Sequence, residues 1–105
     1  MIQVTFAVES KIITGFEVSG HSGFSEQGSD IVCAAVSSAA YMTANTVTDV
    51  LDLNCFVTAD DGLMILKLSK EEAEKAQDIL NGFLLHINAL SKEYADFIDL
   101  KISEV

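Results

Sequence analysis

At 105 residues, half of them apolar, the chain has the size of one domain, residues 1–105, and enough hydrophobic side chains to bury a single core. Sixteen acidic against six basic residues give a formal charge of −10, which repels a phosphate backbone and argues against direct nucleic-acid binding. The absence of proline, the six glycines and the lack of any repeat leave no linker, and no uninterrupted apolar run approaches the roughly 20 residues of a membrane span.

Ile2 to Glu9 alternates Ile2, Val4, Phe6 and Val8 with Gln3, Thr5, Ala7 and Glu9, the two-residue period of a half-buried strand. This opening lacks the basic segment that precedes the apolar stretch of a signal peptide. With two cysteines and no export signal, the expectation is a cytoplasmic protein with free thiols rather than a disulfide framework. Ser10 and Lys11 make a short polar break before Ile12 to Val18, so a hairpin is expected, with Gly15 as a possible bulge.

From Gly20 to Ser29 three glycines, Gly20, Gly23 and Gly28, stand among small polar residues and surround His21, which predicts a flexible loop. Ser29 or Asp30 then caps a helix that the alanines carry to about Leu51. Its run of Ala and Ser permits close approach by another element or another subunit. Phe56 to Ala59, the turn Asp60-Asp61-Gly62 and Leu63 to Leu68 predict a second hairpin. Ser69 with Glu72 reads as a capping box for a second helix, whose Ala73, Ala76, Ile79, Leu80, Phe83, Leu84, Ile87 and Leu90 form an apolar stripe. Phe97 to Ile102 alternates again as a fifth strand. The order ββαββαβ predicts an α+β two-layer sandwich: a largely antiparallel five-stranded sheet covered by two helices.

The residues that bear chemistry gather on one segment. Cys33 follows Asp30 by three positions, which in this reading puts it in the first helical turn, where unpaired amides and the macrodipole favour a thiolate. Asp30 opposes that effect if its carboxylate faces the sulfur. His21 lies twelve residues earlier on the glycine loop, within reach if the loop folds back, and Cys with His is the minimum for thiol nucleophilic catalysis. Amides at the same helix start are available as oxyanion donors. Taken alone these residue types do not decide the matter: free cysteine is among the most buried residue types, and His21 is equally readable as a solvent-exposed loop residue.

Elsewhere the signals are structural. Cys55, at the start of a strand, reads as a packed small residue, and His86 as a boundary residue of the second helix. Glu71, Glu72 and Glu74 crowd a helix start, where the dipole accounts for them. No paired ligand spacing joins Cys33, Cys55, His21 and His86, so no metal site and no cofactor is expected.

The segment Gly20-His21-Ser22-Gly23, followed by Gly28-Ser29-Asp30-Ile31-Val32-Cys33-Ala34-Ala35-Val36-Ser37, resembles the signature of the ribosomal-processing cysteine protease Prp family, with similar length and element order. The resemblance implies a cysteine endopeptidase that removes the N-terminal extension of a large-subunit ribosomal protein, the one numbered twenty-seven, during ribosome assembly. It implies His21 as general base and Cys33 as nucleophile. Asp30 and Ser37 match the motif and take supporting roles; three before and four after Cys33, they share its helix face. A homodimer is expected from the resemblance and from the small residues of the first helix. Two other readings stand beside this one: a noncatalytic acidic assembly factor that binds a basic ribosomal protein, and a redox sensor that pairs or sulfenylates Cys33 and Cys55.

Overall fold

The alternation at the start of the chain becomes strand β1, Ile2–Glu9, with Ile2, Val4 and Phe6 buried and Gln3 exposed. The computed structural model describes residues 1–20, 27–60 and 62–105. β2, Ile12–Ser19, returns antiparallel to β1 through Ser10 and Lys11, whose φ angles of 51° and 69° are those of a two-residue type I′ turn. The register shifts so that Ala7 faces Gly15 while Val8 faces Ile13, which leaves Thr14 as the extra residue. The bulge therefore lies one residue before the expected Gly15. That glycine answers a different need, because a Cβ there would collide with the Leu66 carbonyl of the neighbouring strand.

The second hairpin pairs β3, Phe56–Asp60, with β4, Leu63–Lys67, and Gly62 enters β4 at φ 77°. Asp61, the middle of the expected turn, lies outside the described residues. The last strand, β5, Ile98–Glu104, runs parallel to β1, giving the sheet order β3-β4-β2-β1-β5. Its other three pairings are antiparallel.

The first helix, α1, spans Gln27–Asn45 and starts before the expected cap at Ser29 or Asp30. Per-residue helix preferences differ by only about 0–1 kcal/mol, so a cap-like residue does not by itself stop the helix from reaching further back. After Asn45 the chain widens into a π-helical turn, Thr46–Val50, closed by the Leu51 amide on the Thr46 carbonyl at 2.8 Å. Asp52, with φ 54°, then turns the chain toward β3. Val32, Val36, Ala40, Ala44 and Val47 recur at steps of three and four and are buried. The segment Ile31–Val50 is long and apolar enough, by length and composition, to cross a membrane, although it contains no long uninterrupted apolar run. Its buried stripe belongs to the same core as the sheet residues.

The expected second helix is two helices. α2, Lys70–Glu74, begins at Ser69, whose Oγ accepts from the Glu72 amide at 3.2 Å, and α3 runs Gln77–Glu93. Between them Lys75 and Ala76 bond back only three residues, to Glu72 and Ala73. The Gln77 side-chain amide also donates to the Ala73 carbonyl at 2.8 Å. The same Gln77 docks α3 on the bulged strand, accepting from the Ile13 amide at 3.0 Å and donating to the Ile13 carbonyl at 2.8 Å. Leu80, Phe83 and Ile87 of α3 are buried, and Phe83 meets Phe16 at a centroid distance of 4.8 Å and Phe6 at 5.4 Å. The result is the α+β two-layer arrangement: helices on one face of a mixed sheet, with alternate residues such as Glu17 and Lys67 exposed on the other.

Candidate active site

Cys33 is the seventh residue of α1, not a member of its first turn. Only the first four helical amides lack an intrahelical partner, and the dipole's influence is concentrated in the first turn. The expected assistance to the thiolate from the helix start, and the use of the Cys33 amide as a free oxyanion donor, are therefore corrected by the length of α1. What the helix supplies is position. Cys33 is partly buried, packs against the core, and opens into a cleft of about 450 Å³.

One helix and the ends of four strands build this cleft. α1 contributes Cys33, Val36, Ser37, Ala40 and Tyr41, positions three and four apart that fall on one helical face. The end of β3 and the start of β4 contribute the facing wall, including Ala59, Asp60, Leu63 and Met64. Ile2, Val18 and Gly20 lie at the ends of β1 and β2. The lining mixes apolar side chains, such as Val36, Ala40 and Met64, with polar residues, among them Cys33, Ser37 and Tyr41.

Gly20 fixes one corner. Its φ of 87° is a left-handed value suited to glycine, and a Cβ would stand 2.6 Å from the Met1 carbonyl oxygen. Its amide donates to the Gly62 carbonyl at 2.9 Å, tying the end of β2 to the β3–β4 connection. The residue preceding His21 is therefore held at the cleft wall. His21 itself, with Gly23, lies outside the described residues, so the expected loop and its Cys–His pairing have no geometry here. Gly28, read as a loop residue, falls in the first turn of α1.

Ser37, one turn after Cys33, is exposed and lines the same cleft, as the shared-face argument required. Asp30 belongs to α1 by its backbone, one turn before Cys33. Tyr41 and Asp60 were not singled out from the sequence. Tyr41 had a readable signal, eight residues and two turns beyond Cys33, whereas Asp60 is brought to the site only by sheet pairing.

The remaining candidates separate cleanly. Cys55, just before β3, is partly buried against the core; burial pushes its thiol pKa up, which favours the unreactive protonated form. Both cysteines are free. His86 is exposed on α3 beside an apolar groove that includes Ala35, Ala39 and Met42 of α1. Among the described residues, no three His, Cys, Asp or Glu side chains are grouped to hold a metal ion.

The family described as cysteine protease Prp matches residues 1–99. A ribosomal processing cysteine protease Prp from Bacillus subtilis is 29% identical over 103 residues, covering 91% of this chain and 92% of the relative. Among solved structures, SMU.848 from Streptococcus mutans superposes with a TM-score of 0.89 at 33% identity, covering 100% of this chain and 96% of that one. The essential ribosomal processing protease Prp from S. aureus, in complex with a substrate peptide, gives a TM-score of 0.87 at 25% identity over 98% of this chain and 100% of its own. The S. aureus enzyme with a covalently linked product peptide gives 0.86 at 26%, with the same coverage.

Proposed function

The chain belongs to the cysteine protease Prp family and is a peptide-bond hydrolase, and from that premise we propose that Cys33 is its nucleophile and His21 its general base. The observation that carries the assignment is the partly buried Cys33 thiol opening into a cleft whose wall holds Gly20, the residue before His21. In the proposed reaction His21 takes the thiol proton and the sulfur attacks the scissile carbonyl carbon. Collapse of the tetrahedral intermediate expels the amine, which takes its proton from His21, and water then hydrolyses the thioester. A covalently linked product in the S. aureus relative supports a path through an acyl-enzyme. Asp30 and Ser37 act beside Cys33 as supporting groups, one turn to either side along α1.

The substrate in this reading is the precursor of the large-subunit ribosomal protein numbered twenty-seven, from which the enzyme removes the N-terminal extension during ribosome assembly. The processing role in the names of the relatives supports it. A domain of 105 residues does not wrap a folded partner, so recognition falls on several side chains of an extended peptide. The formal charge of −10 adds attraction for a basic ribosomal protein. The same reading places the protein in the cytoplasm as a homodimer. Incubation with precursor, mature protein and casein, read by mass spectrometry, tests the substrate: a single cut in the precursor alone is expected. Digestion of casein at the same rate, or survival of the precursor, refutes it.

A further inference from the structure

The two edges of the sheet differ in how they are protected. Among the described residues, the order β3-β4-β2-β1-β5 leaves one side of β3 and one side of β5 without a neighbouring strand. Such edges invite pairing with another chain, and proteins blunt them with charged residues, proline, bulges or a covering helix. Along β5 stand Asp99, Lys101 and Glu104. β3, Phe-Val-Thr-Ala-Asp, has no lysine, no proline and no charge before its terminal Asp60, pairs with β4 without a bulge, and has four of its five residues exposed. Only two residues separate Asp60 from its partner Leu63, so this pair closes the hairpin as a hydrogen-bonded pair, with Thr58–Ile65 and Phe56–Lys67 in the same phase. The amides and carbonyls of Val57 and Ala59 therefore point outward from the sheet edge. Both residues pair with buried partners, Leu66 and Met64, and so share the sheet face toward the helices. Ala59 and Met64 line the cleft into which Cys33 opens, so the unprotected edge runs into the reactive cleft.

We propose that the substrate peptide adds to β3 as a further strand, exchanging main-chain hydrogen bonds with Val57 and Ala59, and passes from Ala59 into the cleft at Cys33. The occupant is a peptide because a peptidase holds an extended chain at its nucleophile, and one of the two outward-bonding residues of this edge lines that nucleophile's cleft. Strand addition of this kind takes affinity from the main chain, and alternate side chains of the peptide then fall on opposite faces of the sheet. Those on the face of Val57 and Ala59 lie toward α1 and the cleft, where they can be read; those on the other face lie beside Phe56 and Thr58. The inference rests on the peptidase assignment of Cys33 and adds how the substrate backbone is held and aligned.

The test is a series of cleavable peptides N-methylated one residue at a time, from the second to the sixth position on each side of the scissile bond. Wild-type KM should rise about three- to ten-fold when either of two positions two residues apart on one side is methylated, with kcat unchanged. Methylation of the residue between them should leave KM as it was. Ala59→Pro, which removes an outward amide and spares the β4 ladder, should raise KM for the unmodified peptide by a similar factor, whereas Ala59→Ser, which keeps the amide, should not. The rate at which iodoacetamide alkylates Cys33, read by mass spectrometry, should be the same in both variants, which separates a lost peptide contact from a disturbed cleft. If Ala59→Pro does not fold, the methylation series decides alone. Cleavage indifferent to methylation, a KM that rises at every consecutive position, or an Ala59→Pro enzyme with wild-type KM overturns the strand addition and leaves the peptidase assignment intact. Loss of a dimer in Ala59→Pro with KM unchanged overturns it likewise, because the edge is then held by a second copy. If no peptide is cleaved, the peptidase assignment fails, and fluorescence anisotropy of the same labelled peptides on Cys33→Ala decides the edge separately. Alternating loss of binding along the methylated series sustains it, and uniform binding overturns it.

Discussion

The two cysteines carry the same functional group and differ in what surrounds it. Cys33 opens into the cleft, whereas Cys55 packs before β3, where burial raises its pKa. Cys33→Ala and His21→Ala should each reduce kcat/KM by at least about a thousand-fold while leaving the thermal midpoint near that of wild type, because they remove the nucleophile and its proton acceptor. Cys55→Ala should remain active; peptide turnover by the three variants checks this. Cys55 also makes a prediction about stability. Its raised folded-state pKa means that the folded protein holds the thiol proton more tightly than the unfolded chain. That contribution is fully present below the unfolded pKa and is lost as pH rises through the folded value. As pH rises through and above the ordinary thiol range the wild type should therefore lose more stability than Cys55→Ala, as read by urea midpoints at successive pH values. A parallel decline in both proteins would remove Cys55 as the cause.

At the scale of elements, two joints hold the sheet and helices in register. Gln77 satisfies both the amide and the carbonyl of Ile13 beside the bulge and also caps the Ala73 carbonyl. Gln77→Ala leaves part-buried backbone groups unpaired and should cost about 2–3 kcal/mol in urea unfolding, with kcat/KM nearly unchanged, since Gln77 is remote from the cleft lining. The second joint is the Ser10-Lys11 turn, where two residues with side chains occupy left-handed backbone, at a cost of roughly 1–2 kcal/mol each. Replacing the pair by Asn-Gly, the sequence that this turn type favours, should stabilise the protein by about 1 kcal/mol or more without altering activity. A fall in the unfolding midpoint would contradict the turn geometry.

The whole molecule is an acidic, one-cored enzyme with helices over one sheet face. The groove between α1 and α3, lined by small and apolar residues, is the surface on which the proposed homodimer would find close approach. Light scattering should give a mass near twice the 11.3 kDa of one chain at micromolar concentration. A monomer mass throughout that range would exclude the dimer. Net charge acts at this scale too, through the rate of encounter with a basic partner. Cleavage of the full precursor should fall with salt more steeply than cleavage of a short peptide, and equal salt slopes would show that the charge outside the cleft is immaterial.

Local patterns determined the parts of this protein whose energetics are local. The period-two alternation of Ile2, Val4 and Phe6 fixed a strand and its buried face, the stripe through Leu80, Phe83 and Ile87 fixed the helix α3, and Ser69 with Glu72 marked the start of α2. The His21 and Cys33 motif sufficed for the family, because a contiguous segment carries it. Tertiary structure decided what depends on residues far apart in the chain. The helix broke at Lys75 and Ala76, where Gln77 reaches Ile13 across 64 residues, and Gly15 is demanded by a carbonyl on β4. The start of α1 at Gln27 moved Cys33 beyond the first turn, a boundary governed by free-energy differences too small for sequence pattern to settle. The cleft itself needed the sheet. Only the pairing of β2 with β4 brings the β3–β4 hairpin to the cleft that Ser37 and Tyr41 also line, because strand order is set by the burial of the whole core rather than by any one segment.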